Sequence, residues 1–406
     1  MKKIFILILL SLLVTMPVNA LETPRTIGLG SFSTLAGVDG IYLNPATVNI
    51  SENNFKFQTN ISGGFNNNLF RNEYITENKK DKLLNGIESS GWVFNVKAKE
   101  GISLTIGPVG FFSNMREEGN LKFNPDVAEI LLAGNQTEAV YSLDNSFGDG
   151  ALYNDSGINF SYKIPERVIE SADIEINFTN IHVGMNLRFL TGAIANLEAN
   201  GGAEIGYDEN GNPTLVGDGE FILKHTDFEN MSGIGDLATG SAFDIGLYGN
   251  YNEKISGGAS ILNLGSLKSD TGVYKKYVFD STSEDIFRLA DEGTAKDIEY
   301  KLPTKINIGC QYDWKDYLTF LVNFSNINYS HFNDINISLG AEYDQLKFLP
   351  LRLGMEYSTL QKDLKIRTGL GLHLGAWKTD IGVSDVKGLF NKSQGLEFGI
   401  SSGFSF

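Results

Sequence analysis

The period of the apolar residues constrains this chain more than any other feature. Phe55, Phe57, Thr59 and Ile61 alternate with Lys56, Gln58, Asn60 and Ser62; Trp92, Phe94, Val96 and Ala98 alternate with Val93, Asn95, Lys97 and Lys99. Successive side chains of a strand point to opposite faces, so each run is a strand with one oily and one polar face. The pattern recurs at 158–164, 181–189, 243–251, 255–264, 306–312, 318–324, 335–343, 351–357, 364–374, 377–383 and 396–406. Helical periodicity is nearly absent outside the amino-terminal segment and a few loops, and the predicted class is all-β.

Many amphipathic strands fit either a soluble sandwich or barrel with oily faces inward, or a transmembrane barrel with oily faces outward. The polar face separates the two. It carries Lys97, His182, Arg188, Asp244, Arg352, Glu356, Lys365, Arg367 and His373, interleaved with Gly184, Gly246, Gly354, Gly369 and Gly371. Charges with glycines suit a wet, crowded lumen, whereas a soluble surface gains little from glycines in strands. Tyr251, Tyr312, Tyr343 and Tyr357 fall at strand ends, where an interfacial girdle belongs.

Loop lengths point the same way. Long connections (66–90, 113–154, 266–302) alternate with tight turns at Glu100-Gly101, Asn252-Glu253-Lys254 and Trp314-Lys315-Asp316. Short turns on one side and long loops on the other mark an outer-membrane, antiparallel barrel. Sixteen strand candidates are present; counting the pair over about 195–228, joined by DENGN at 208–212, as an extracellular hairpin leaves fourteen in the wall, and counting it in the wall keeps sixteen. Either even count puts both termini in the periplasm. Asp126 to Ala133 and Glu284 to Ala290 read as short helices within the long loops.

The ends and the composition fit an exported protein. MKKIFILILLSLLVTMPVNA has two lysines, a short apolar core and a small-residue site, and predicts a secretory signal cut after Ala20. The expected division is 1–20 signal peptide, 21–52 hatch and 53–406 barrel, with 386 mature residues (406 − 20). Beyond the signal no run approaches eighteen consecutive apolar residues, as a membrane helix requires. Cys310 is the single cysteine and falls on the oily face, so neither a disulfide framework nor a cysteine metal site is expected. The net charge of −16 argues against a nucleic-acid partner. The chain closes on LEFGISSGFSF, an alternating strand ending on Phe404 and Phe406.

Before the first strand lies RTIGLGSFSTLAGVDGIYLNPATVNI (25–50), without a clean period and rich in small residues. With Gly28, Gly30, Ala36 and Asp39 leading to Asn44, Pro45 and Ala46, it resembles the Gly- and Ala-rich amino-terminal hatch, ending in Asn-Pro-Ala, of the long-chain fatty acid transporter superfamily of outer-membrane barrels and its TraF-like and secretion-associated relatives. GGASILNLGSLKS, YKLPTKINIGCQY and VSDVKGLF resemble segments of a less characterised outer-membrane barrel family. Phe404 and Phe406 match the terminal aromatic signal by which such barrels reach the assembly machinery, with Ser401 where a glycine is usual.

The resemblance implies passive uptake of hydrophobic small molecules such as fatty acids, with outer-membrane lipid, the barrel assembly machinery and a hydrophobic ligand as partners and no cofactor. In that scheme Asn44 and Pro45 fix the hatch turn, Asn44 hydrogen-bonding lumen backbone, and Ile130, Leu131 and Leu132 form an access groove. Equally, Asn-Pro-Ala ends a stabilising plug and Ile130 to Leu132 pack on the rim. Arg188, Arg352, Glu356 and Arg367 are the expected lumen residues. A secretion or surface-display barrel and a structural barrel without cargo are the alternatives. Catalysis is not expected: His182 and His373 read as structural lumen histidines, no GxSxG, HExxH or P-loop is present, and DENGN lacks the closing glutamate of a calcium loop.

Overall fold

The computed structural model describes residues 23–50, 53–71, 75–88, 90–134, 140–171, 178–207, 213–227, 233, 236–280, 287–390 and 393–406. The expected signal sequence and the DENGN turn lie outside the described residues. In chain order the strands are β1 (Phe55–Asn67), β2 (Trp92–Ile106), β3 (Val109–Phe123), β4 (Val140–Ser142), β5 (Ser146–Lys163), β6 (Thr179–Tyr207), β7 (Pro213–Thr226), β8 (Ala238–Asn250), β9 (Ile255–Ser269) and β10 (Gly272–Asp280). They continue as β11 (Phe287–Ala295), β12 (Ile298–Lys301), β13 (Thr304–Lys315), β14 (Leu318–Asn328), β15 (Asn333–Tyr343), β16 (Leu351–Ser358), β17 (Asp363–Leu374), β18 (Trp377–Ser384) and β19 (Gly395–Ser405).

Fourteen of these close a ring in the order β1, β2, β3, β5, β6, β8, β9, β13 and on through β19, every neighbouring pair antiparallel. The seam is the β1–β19 ladder, from Lys56 opposite Ser405 to Asn66 opposite Gly395. Beyond it Phe55 and Phe406 exchange backbone hydrogen bonds of 3.2 and 2.9 Å. Closure leaves no strand edge in the wall, which is the condition for a sheet to cross a bilayer. The outward side chains, among them Ile61, Phe189, Leu247, Ile308, Leu339 and Leu353, stand exposed around the ring, with Tyr251, Tyr312 and Tyr357 at its rims. An apolar band of this extent faces lipid, and the protein is an outer-membrane β-barrel. Cys310 shares the outward parity of Ile308.

The 195–228 pair lies outside the ring, which settles the strand number at fourteen. The upper half of β6 pairs with β7, β7 with β10 and β10 with β11, forming an extracellular ribbon. Three boundaries differ from the sequence expectation. No turn occurs at Glu100-Gly101: β2 runs on to Ile106 and turns at Gly107-Pro108. Glu100 stands outward between Ile61 and Met115, so a carboxylate on the oily face disguised the continuing alternation. Likewise the expected 113–154 loop is confined to 124–145, because charges on both parities of Met115–Asn120 hid the upper half of β3. Residues 287–290 of the expected Glu284–Ala290 helix lie in β11, where pairing to β10 overrides local helix preference, and 284–286 lie outside the described residues. The expected helix at Asp126 to Ala133 is present as Pro125–Ala133.

Candidate functional site

Residues 23–50 lie inside the barrel. They form two short helices, α1 (Pro24–Leu29) and α2 (Gly40–Leu43), and a 3-10 turn, Pro45–Thr47. Helices this short are unstable alone, so the lumen must hold them. Ile27, Leu29, Phe32, Leu35, Ile41, Leu43 and Val48 are buried, and each such burial contributes about 1.5–3 kcal/mol.

The wall supplies the donors that an isolated hatch backbone lacks. Asn186 Nδ2 donates to the Ile41 carbonyl (2.8 Å), Ser260 Oγ to that of Leu43 (2.6 Å), Ser161 Oγ to that of Ala46 (2.8 Å) and Lys56 Nζ to that of Val48 (3.1 Å). Asn44 works in both directions. Its backbone N–H caps α2 on the Gly40 carbonyl (2.9 Å), and its Oδ1 accepts from the Ala46 N–H (3.1 Å) at the start of the 3-10 turn. Its Nδ2 donates to the carbonyls of Ser33 (2.7 Å) and of Leu247 on β8 (2.9 Å).

The lumen glycines mark where hatch backbone lies directly on the wall. A Cβ at Gly184 would collide with Pro45, at Gly246 with Asn44 and at Gly258 with Ser33. At Gly354 it would meet Leu29 and at Gly382 Pro24; Gly28 in turn sits against Gly369. Gly30, at φ 111°, ends α1 in a conformation that favours glycine. The hatch thus rests on bare backbone from β6 to β9 and from β16 to β18, whereas toward β2 and β3 it presents Tyr42. That ring packs edge-on to Phe112, lies over Lys99 Nζ (3.0 Å to the centroid), and its hydroxyl donates to Asn114 Oδ1 (3.0 Å).

Ion pairs brace the rest. Arg25 of the hatch reaches Glu342 (2.6 Å) and Asp39 (3.4 Å); Arg352 shares Glu342 (2.8 Å) and reaches Asp380 (2.6 Å), which meets His373 Nε2 at 3.2 Å. Arg367 joins Glu356 (2.7 Å) and Glu397 (3.3 Å) and donates to the Ile27 carbonyl (3.3 Å). Arg188, above α2, binds Asp155 (2.8 Å) and Asp244 (3.2 Å), while Arg116 also reaches Asp155 (2.7 Å). His182 is buried edge-on to Tyr248. Reading by parity put Arg188, Arg352, Glu356 and Arg367 on the lumen face, where they lie; it passed over Arg25 and Tyr42 in the aperiodic hatch and Asp155, which shares lumen parity but sits at the edge of the expected 113–154 loop.

Above the hatch lies a cavity of about 80 Å³, bordered by Tyr42, Phe112, Arg116, Arg188, Asp244 and Tyr329 among others. Higher still, an apolar cluster fills the extracellular half: Tyr153, Leu190, Ile194, Ala242 and Leu267 from the wall, covered by Ile298, Tyr300 and Leu302. Tyr153 and Tyr300 both donate to Glu118 (2.6 and 2.8 Å). Across the mouth the turn between β14 and β15 is held by His331, stacked on Phe147 (4.3 Å between centroids) and 3.1 Å from Asp149. The segment Ile130 to Leu132 forms no groove here. Leu132 is buried with Leu69, Ile87 and Ala128 between α3 (Glu77–Ile87) and α4 (Pro125–Ala133), and Leu131 points outward. Phe404 and Phe406 stack outward at the seam, their rings 6.4 Å apart.

Solved structures share this fold. The toluene transporter TbuX of Ralstonia pickettii is 12% identical at a TM-score of 0.56, over 95% of this chain and 98% of that one. The toluene transporter TodX of P. putida is 11% identical at 0.57, over 96% and 99%. The monoaromatic hydrocarbon channel CymD is 12% identical at 0.53, over 96% and 99%. At such identities the likeness establishes the fold. Comparison with curated protein sequences gives no match. The model of a family of unknown function, DUF5723, matches residues 27–381, and the chain belongs to that family.

Proposed function

We propose that this barrel is a passive conduit for small hydrophobic molecules, held closed in this structure. One observation carries the reading: an apolar cluster occupies the extracellular half of the lumen above a noncovalently held hatch, with the small charged cavity between them. Wall residues Leu190, Ile194, Ala242 and Leu267 make an apolar receptacle once Ile298, Tyr300 and Leu302 swing away. The fold shared with toluene transporters and a monoaromatic hydrocarbon channel supports the same cargo class. A small pocket lined by such residues takes up apolar ligands because their transfer from water is favourable by about 25 cal/mol per Å² buried.

A structural barrel without cargo is the second reading, favoured by the ion-paired packing around Arg188 and Arg367. Native mass spectrometry in mild detergent separates the two. A bound apolar mass that is lost in Leu190→Glu supports the conduit; a barrel that stays empty after exposure to toluene or a medium-chain fatty acid supports the structural reading.

A further inference from the structure

Tyr300 sits in the lumen as a bound ligand would. Its ring belongs to the apolar cluster, 6.4 Å from the ring of Tyr153, and the side chain is buried. It comes from the cover rather than from the wall: β12 is a four-residue strand laddered to the end of β9, with Tyr300 opposite Leu267. The hydroxyl donates to Glu118 Oε2 (2.8 Å) and accepts from Asn120 Nδ2 (3.4 Å). Glu118 and Asn120 are buried residues of β3, part of the wall.

The wall keeps a polar end for that ring when the cover leaves. Glu118 Oε1 accepts from Tyr153 of β5 (2.6 Å), a wall residue that stays in place, whereas Oε2 loses its partner with Tyr300. Lys97 stands directly opposite Glu118 in the β2–β3 ladder, a cation beside the carboxylate. An ionised carboxylate only accepts hydrogen bonds, so the group that replaces the tyrosine hydroxyl has to be a donor. A hydrocarbon of the same size fills the space but leaves a buried acceptor unanswered, which is costly. Glu118 and Asn120 also border the cavity of about 80 Å³ above the hatch, so the polar end of the ring site adjoins free space on the hatch side.

We propose that Glu118 and Asn120 select the cargo of this barrel: small neutral aromatics that carry a hydroxyl, of phenol or p-cresol size, bind by taking the place of Tyr300. The inference rests on the conduit reading and names its ligand class. p-Cresol is the tyrosine side chain as a free molecule, and toluene is the same molecule without the hydroxyl, so the pair isolates the contribution of Glu118 and Asn120.

Equilibrium dialysis of the full barrel against each ligand tests it, at neutral pH where the phenol is protonated, with equal detergent on both sides so that micelle partition cancels. The wild type binds p-cresol saturably and at least about tenfold more tightly than toluene, the range expected of a hydrogen bond to a charged group. Glu118→Gln collapses that ratio toward one. Tyr300→Phe frees the cover from Glu118, so both ligands bind several-fold more tightly while their ratio is kept. Heat-dependent gel mobility confirms that each variant is a folded barrel, and the wild-type ratio decides the matter even if Glu118→Gln does not fold. Equal binding of toluene and p-cresol overturns the inference and leaves the conduit standing, whereas no saturable binding of either overturns both. A ratio that survives Glu118→Gln, or a Tyr300→Phe barrel that binds as the wild type does, also overturns the inference, because the ligand then lies elsewhere.

Discussion

Asn44 of the hatch donates a 2.9 Å hydrogen bond to the main-chain carbonyl of Leu247 on β8, across 203 positions of sequence. The bond is reachable because Gly246, the next residue on that strand, has no Cβ to keep the amide away. One residue thereby ends α2 with its backbone N–H, and its side chain starts the 3-10 turn and anchors it to the wall.

Replacing Asn44 by Ala removes three hydrogen bonds in a fully buried place. A loss of about 1–3 kcal/mol is expected, borne by the hatch more than by the wall. Protease cleavage within 25–50 becomes faster in the variant, while heat-dependent gel mobility of the barrel is kept.

Gly184→Ala drives a methyl into Pro45, so the Asn-Pro-Ala turn has to lift from β6. The expected outcome is a leaky barrel: small-solute swelling of proteoliposomes increases several-fold. Gly119→Ala, where no neighbour lies within 4 Å of the added carbon, leaves swelling unchanged.

Arg188→Ala removes the cation paired with Asp244 and leaves Asp155 to Arg116 alone in the packed lumen. Breaking a buried pair from one side costs about 3–5 kcal/mol. Denaturant unfolding in detergent should show a loss of that order, and the double variant Arg188→Ala, Asp244→Asn should recover part of it.

Phe406→Ala leaves the folded barrel nearly as stable, because the ring faces outward and the closing backbone bonds to Phe55 survive. If the terminal aromatics guide assembly, the heat-modifiable fraction recovered in outer membranes falls several-fold. Refolding of the purified variant into detergent proceeds as in the wild type.

Parity and loop length made much of the fold legible. Charged and glycine residues on one face predicted a crowded interior, while the choice between fourteen and sixteen strands waited on the structure, which puts the 195–226 strands outside the ring. The boundaries of β2 and β3 were hidden because Glu100 and Glu117 stand on the outward face, where alternation alone expects an apolar residue. For the hatch, sequence marked Asn44 and the glycines but could not pair them, since Arg25 and Glu342 lie 317 residues apart.

By itself, then, the sequence determined which side of most wall strands is oily and that a small-residue segment precedes them. Those are properties of residues spaced two apart, and the local geometry of a strand converts them directly into faces. Tertiary structure alone decided which wall glycine receives which hatch carbonyl and which arginine shares which carboxylate. It also left Lys99 facing Arg116 beneath Tyr42. Cross-strand pairs such as Lys99 and Arg116 need only their own ladder, whereas hatch partners such as Arg25 and Glu342, 317 residues apart, meet only once the wall surrounds the hatch.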